Sequence, residues 1–191
     1  LFNLILASAS PRRSELLRQM GLAFRVHPAD VDESRFDAEP IESYVQRVSH
    51  DKAAVVAALG EQPVLGADTA VTIDSELLAK PRDLNEARAM LTRLSGRTHW
   101  VHTGVTLLSG DFCKTILSST AVTFDRLSDW ECEAYLRSGE WEGKAGGYAI
   151  QGLAARFVTR VEGSYSAVVG LPIWETYGLL KEAGLEGGHG Q

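Results

Sequence analysis

The run Pro63-Val-Leu-Gly-Ala-Asp-Thr-Ala-Val-Thr-Ile73 constrains this chain more than any other segment. It is rich in β-branched residues and nearly all apolar. A strand that is apolar on both faces must be covered on both, so this one belongs in the middle of a sheet. One residue breaks the pattern. Asp68 places a carboxylate inside a buried strand, which is costly unless the charge is paired or binds a metal. Its flanks Gly66, Ala67 and Thr69 are small and let another group approach closely. Asp68 therefore reads either as a metal ligand or general base, or as a structural acid capping a neighbouring turn.

The segments around it alternate between strand and helix. Leu4 to Ala7 predicts a short strand rather than a signal peptide, because no basic region precedes it and Ser8 follows at once. Ser10-Pro11 predicts a helix start, with Ser as N-cap and Pro at the first helical position, and Gly21 predicts its end. Ala23 to His27 reads as a strand and Ile41 to Leu59 as a long helix with Tyr44, Val45, Val48, Val55 and Val56 at helical spacing. Asp83 and Glu86 have capping-box spacing and open a helix that stops at Gly96. Thr98 to Leu108 and Cys113 to Phe124 read as a hairpin around Ser109-Gly110-Asp111. Ser128 to Glu131 is a second capping box, Ala155 to Val161 a strand, and Pro172 starts a last helix ending at Gly184. The expected architecture is α/β with a mixed, twisted sheet flanked by helices. No Gly/Pro/Ser-rich linker interrupts residues 1–185, which read as one domain, and residues 186–191 read as a disordered tail.

Composition removes several classes. The chain has 191 residues, 45% of them hydrophobic, which is enough for a real core and too many for a disordered protein. No window is long and apolar enough to predict a membrane span. A net charge of −6 argues against binding nucleic-acid polymers or an anionic membrane, both of which need a positive field. Cys113 and Cys132 form no CxxC and no disulfide framework, a usage that suits the cytoplasm. The P-loop, Rossmann, GxSxG and HExxH motifs are all absent. His99 and His102 look like a metal pair, but residues three apart on a strand face opposite ways.

Four constellations remain. Ser8-Ala-Ser-Pro-Arg12-Arg13 puts two arginines in the first turn of a helix, where the dipole disfavours them unless an anion binds there. Free N–H groups, two hydroxyls and two guanidinium forks would suit phosphate. A solvated helix start is the plainer alternative. Asp30-Val-Asp-Glu33 could hold a divalent ion or simply face water. Lys80-Pro-Arg82-Asp83 could clamp phosphate, and Lys52 is equally ambiguous alone. The glycine-rich segment Gly143 to Gly152 is long for a hairpin and carries Gln151, whose amide could read a base edge; otherwise it is a connector with Tyr148 and Ile150 packed down.

Taken together, SASPRR, DVDES, HDKA, LGADT, KPRD, LSGRTH, GGYAIQG and GSYSAVVGLP, in this order from Leu4 to Leu180, resemble the Maf family of septum-formation-inhibitor-like nucleotide pyrophosphatases. The SPRR, GADT and AIQG combination is similar to the dTTP/UTP pyrophosphatase branch. The resemblance implies an ITPase-like fold with a deep cleft between two lobes. It also implies hydrolysis of a nucleoside triphosphate to the monophosphate and pyrophosphate with Mg²⁺ or Mn²⁺. It assigns Asp68 as proton acceptor and Arg12, Thr69 and Gln151 to substrate specificity. Ser8, Arg13, Lys52 and Lys80 go to phosphate binding, and Glu33 with Asp68 to the metal. It also allows a homodimer. A sister branch acting on 7-methyl-GTP, purine house-cleaning enzymes and a nucleotide-binding regulator of cell division are the competing functions. Gathering Arg12, Arg13, Lys52, Lys80 and Arg82 against Glu33 and Asp68 predicts a basic pocket in an acidic body.

Overall fold

Seven strands form one mixed sheet in the computed structural model, which describes residues 4–60 and 63–185. They are β1 (Leu4–Leu6), β2 (Phe24–Val26), β3 (Val64–Ile73), β4 (Glu76–Leu78), β5 (Thr98–Ser109), β6 (Phe112–Phe124) and β7 (Val158–Glu162). The order is β2-β1-β3-β5-β6-β7, with β4 also on β3. β1 pairs in parallel with β2 and β3, whereas β3 with β4 and β6 with β7 are antiparallel. The helices are α1 (Pro11–Gln19), α2 (Ile41–Ala57), α3 (Leu84–Leu94), α4 (Asp129–Arg137), α5 (Tyr165–Val169) and α6 (Ile173–Glu182). The central strand predicted from its composition is present, with every residue of β3 buried except the half-buried Thr69. No described helix is long and apolar enough to cross a membrane. The tail predicted for residues 186–191 lies outside the described residues.

The chain divides into two compact units. The first comprises Leu1–Asp68, Thr103–Ser118 and Gly170–Gln191, and the second Thr69–His102 and Ser119–Val169. In the first, Ile5, Ala7, Ala53, Val56 and Val64 form an apolar cluster where α2 covers β1 and β3. Two glycines allow that packing. A Cβ on Gly66 would stand 2.1 Å from the Ser49 carbonyl, and one on Gly104 would stand 2.4 Å from the Val45 carbonyl. The α2 backbone therefore lies directly on the strands, with no side-chain layer between. Ser49 completes the contact by a hydrogen bond to Thr106, 2.9 Å long.

In the second unit α3 packs against α4 and against the tight turn Ala145–Gly147. An aromatic cluster of His99, Phe124, Tyr135, Tyr148 and Phe157 fills the interior through edge-on contacts. The Ser128 capping box is complete in both directions. The Asp83 cap is only half of one. Its carboxylate takes the N–H groups of Asn85 and Glu86, but Glu86 turns back to Arg82 instead of to Asp83. The strand expected from Ala155 begins at Val158 because Leu153–Phe157 winds into a 3₁₀ turn that buries Phe157 beside Tyr135.

Candidate active site

The first unit gathers most of the charged residues singled out by sequence. α1 starts as predicted. Ser10 Oγ accepts from the Arg13 N–H at 3.5 Å, and Pro11 occupies the first turn. Ser8, buried at the end of β1, accepts from the Ser10 N–H at 3.2 Å and from Arg13 Nη1 at 3.0 Å. Arg13 Nε donates to the Gly170 carbonyl at 2.9 Å. Arg13 thus ties the β1 exit to the segment before α6. Burial lowers its pKa; the charge of Asp68 works against this, Arg12 adds to it, and Glu33 opposes it. Burial also lowers Arg12, with Glu15 acting against it. Arg13 therefore lies desolvated within the field of Asp68 and Glu33, whereas the acid that acts on Arg12 is Glu15.

Asp68 and Lys52 resolve each other. Lys52 Nζ, on the buried face of α2, donates to Asp68 Oδ1 at 2.8 Å. The acid in the apolar strand is therefore paired with a cation, not placed on a neighbouring turn. The same Nζ lies 2.6 Å from Glu33 Oε1. Within the acidic loop the neighbouring Asp32 is spent locally. It accepts from the Ser34 N–H at 2.8 Å, and hydrogen bonds from Ser34 hold its carboxyl below the usual range. Glu33 and Asp68 thus converge on one cationic point. That donor set fits a hard divalent ion such as Mg²⁺, which takes one or two carboxylates and completes its shell with water and substrate phosphate. Among the described residues no group of three or more His, Cys, Asp or Glu could hold a metal by itself.

Thr69, Lys80 and Gln151 belong to the second unit. Thr69 follows Asp68 on β3 and is half-buried, whereas Lys80 and Gln151 are exposed. Arg82 is committed to Glu86, with Nε 2.7 Å from its carboxylate. The glycine-rich segment is pinned on both sides of Gln151. Tyr148 and Ile150 are buried, the Ala149 N–H donates to the Tyr135 hydroxyl at 3.1 Å, and Leu153 N–H donates to Glu140 at 2.8 Å. Gly146, with φ of 71°, passes directly beneath Val71. His99 and His102 go separate ways. His99 Nε2 meets the Tyr148 hydroxyl at 2.7 Å, and His102 meets Thr72 and Ser119.

Two residues near Glu33 escaped sequence reasoning. Helical spacing marks Tyr44 only as an apolar position on α2 and gives Arg47 no role, yet both reach the acidic loop. The spacing of Tyr44 and Lys52, two helical turns apart on one face, was the available signal.

Two carboxylates held on a buried lysine at the middle of a central strand, with two partly buried arginines in the same unit, suit the handling of phosphate esters or anhydrides. The family follows from comparison. The model of the Maf-like protein family matches residues 3–183, and the chain belongs to that family. A Myxococcus xanthus protein named dTTP/UTP pyrophosphatase is 54% identical over 95% of this chain and 93% of its own length. Proteins of the same name from Pseudoalteromonas atlantica and Vibrio cholerae are 50% and 52% identical, covering 95% and 93% of this chain and 97% and 96% of their own. A solved nucleoside-triphosphatase / dITP/XTP pyrophosphatase from Mycobacterium abscessus aligns over 66% of this chain and 76% of that one. Its TM-score of 0.43 at 11% identity is too weak a likeness to carry an argument.

Proposed function

We propose that this chain is a metal-dependent nucleotide pyrophosphatase of the cytoplasm that hydrolyses dTTP and UTP to the monophosphate and pyrophosphate. The observation that carries the reading is the relatives' shared name at about half identity over nearly the whole of both chains. The geometry of the first unit agrees with it. Water attacks the α-phosphorus, and pyrophosphate leaves. Asp68 takes the proton from that water; Lys52 already holds Oδ1 at 2.8 Å, so Oδ2 is the oxygen proposed to receive it. Lys52, Arg13 and Arg12, with Lys80, oppose the charge that builds on the phosphate oxygens, and Ser8 keeps Arg13 oriented through its 3.0 Å hydrogen bond. Glu33 and Asp68 would hold Mg²⁺ or Mn²⁺. When bound, that ion supplies charge neutralisation at the phosphates and a more acidic water. Thr69, Gln151 and Arg12 select the nucleotide, with the Gln151 amide reading the pyrimidine edge.

The test is a nucleotide panel of dTTP, UTP, CTP, dATP and 7-methyl-GTP with Mg²⁺ and with Mn²⁺, scored for monophosphate and pyrophosphate. Preferential release of pyrophosphate from dTTP and UTP is expected. Release of single phosphates, or a preference for 7-methyl-GTP or a purine, would overturn the reading, and tight binding without turnover would favour a regulator of cell division. Light scattering of the same sample decides whether the homodimer forms.

A further inference from the structure

Helix α2 grips the acidic loop at successive points. Tyr44 Oη donates to the backbone carbonyl of Glu33 at 2.9 Å, and Arg47 Nη2 donates to the carbonyl of the next residue, Ser34, at 3.0 Å. Consecutive carbonyls are therefore held by residues one helical turn apart. Arg47 also reaches Glu39 through Nε at 2.7 Å and Nη2 at 2.9 Å, and its guanidinium lies 4.0 Å from the centre of the Phe36 ring. Two turns beyond Tyr44 on the same face, Lys52 takes the Glu33 carboxylate at 2.6 Å. Glu33 is thus fixed at its main chain by one residue of α2 and at its side chain by another. Residues 27–40 contain no helix or strand, so these contacts replace the ladder that would otherwise fix the backbone.

We infer that Tyr44, supported by Arg47, is a positioning residue whose hydroxyl sets the main chain at Glu33 so that the carboxylate converges with Asp68. The inference rests on the proposed place of Glu33 at the metal and phosphate site. The alternative is a hydrogen bond that merely closes a loop, and the two differ in whether the effect passes through Glu33.

Tyr44→Phe keeps the ring and removes only the donor. The expected result is a fall in kcat/KM for dTTP of about fivefold, the worth of one net hydrogen bond. An equal loss of Mn²⁺ affinity is expected in nucleotide-free protein titrated by electron paramagnetic resonance, a measurement independent of turnover. In a Glu33→Gln background, Tyr44→Phe should change neither quantity further. An additive loss in that background, or unchanged Mn²⁺ affinity in Tyr44→Phe alone, overturns the role of Tyr44 and leaves the proposed function standing. A Glu33→Gln protein with parental Mn²⁺ affinity and turnover overturns the placement of Glu33 and this inference with it. Should Tyr44→Phe not fold, Arg47→Gln releases the Ser34 carbonyl and is judged by the same criteria.

Discussion

Lys52 and Asp68 meet at 2.8 Å with each side chain less than a tenth exposed. Neither charge would be tolerable there alone. The pair explains how an acid can sit in the middle of an apolar strand.

Asp68→Asn should preserve that contact, because the amide oxygen still accepts from Lys52, while removing the group proposed to take the proton. Turnover is expected to fall by about a hundredfold or more, the usual range for loss of a general base. Equilibrium binding of dTTP should change only a few-fold. Pyrophosphate release at near the parental rate would remove Asp68 from the chemistry.

Gly66→Ala, by contrast, should separate the pair. The added methyl would meet the Ser49 carbonyl at 2.1 Å and the Ala53 amide at 2.8 Å, both backbone, so α2 must move off β3. Overpacking of this kind costs about 1–3 kcal/mol. Urea unfolding should show that loss, accompanied by reduced kcat, since Lys52 adjoins Ala53 on the displaced helix. Gly178→Ala on α6 is the control. Nothing lies within 4 Å of its added methyl, and alanine there should stabilise by up to about 1 kcal/mol. Equal midpoints for the two variants would contradict the packing argument.

Local chemistry was the legible part of the fold. Ser10-Pro11 and Ser128 to Glu131 announce helix starts because capping is written in adjacent residues. The turn at Asp74-Ser75 is legible, but strand β4 beyond it is not, because it has only three residues, Glu76–Leu78, and opens on an exposed glutamate. Glu86 could not be assigned to its partner because Arg82 and Asp83 compete for it and only geometry chooses. For the site, Asp68 stood out by its cost, but nothing in the spacing of Glu33, Lys52 and Asp68 brings them to one point. Parallel pairing of β1 with β3 under α2 does that, and the resemblance named the residues without explaining their convergence. Helical spacing puts Tyr44 on the face of Lys52, but nothing in the sequence says which carbonyls Tyr44 and Arg47 will meet.

Acid should loosen the second unit through His99. This histidine is fully buried, and burial pushes its pKa down to about 4, from an ordinary value near 6.5. Between those values the unfolded chain binds a proton that the folded one refuses, so stability is fully present above the ordinary pKa and lost as pH falls towards 4. The loss from this group reaches about 3 kcal/mol at the acid end. Urea midpoints measured from pH 7 down to pH 4.5 should fall less steeply in His99→Gln than in the parent. Parallel slopes would show that His99 contributes nothing to the acid response.

Gln151→Ala should change which nucleotides are hydrolysed more than how fast the preferred one is. The residue is exposed, so its removal leaves the core intact. Rates on dTTP, UTP, CTP and 7-methyl-GTP should draw closer together by about tenfold if its amide reads the base, the scale of losing one buried polar match. Unchanged ratios would take Gln151 out of selection.

The way that segment is fastened has a use in engineering. Tyr148 and Ile150 are sunk into the interior and Leu153 is tied to Glu140, so the backbone on either side of position 151 is held by contacts that do not involve its side chain. A randomised library confined to that single codon would vary an exposed side chain at little cost to folding stability, so if the proposed base-reading role of Gln151 holds, it is the place to begin retargeting to a chosen non-standard nucleotide.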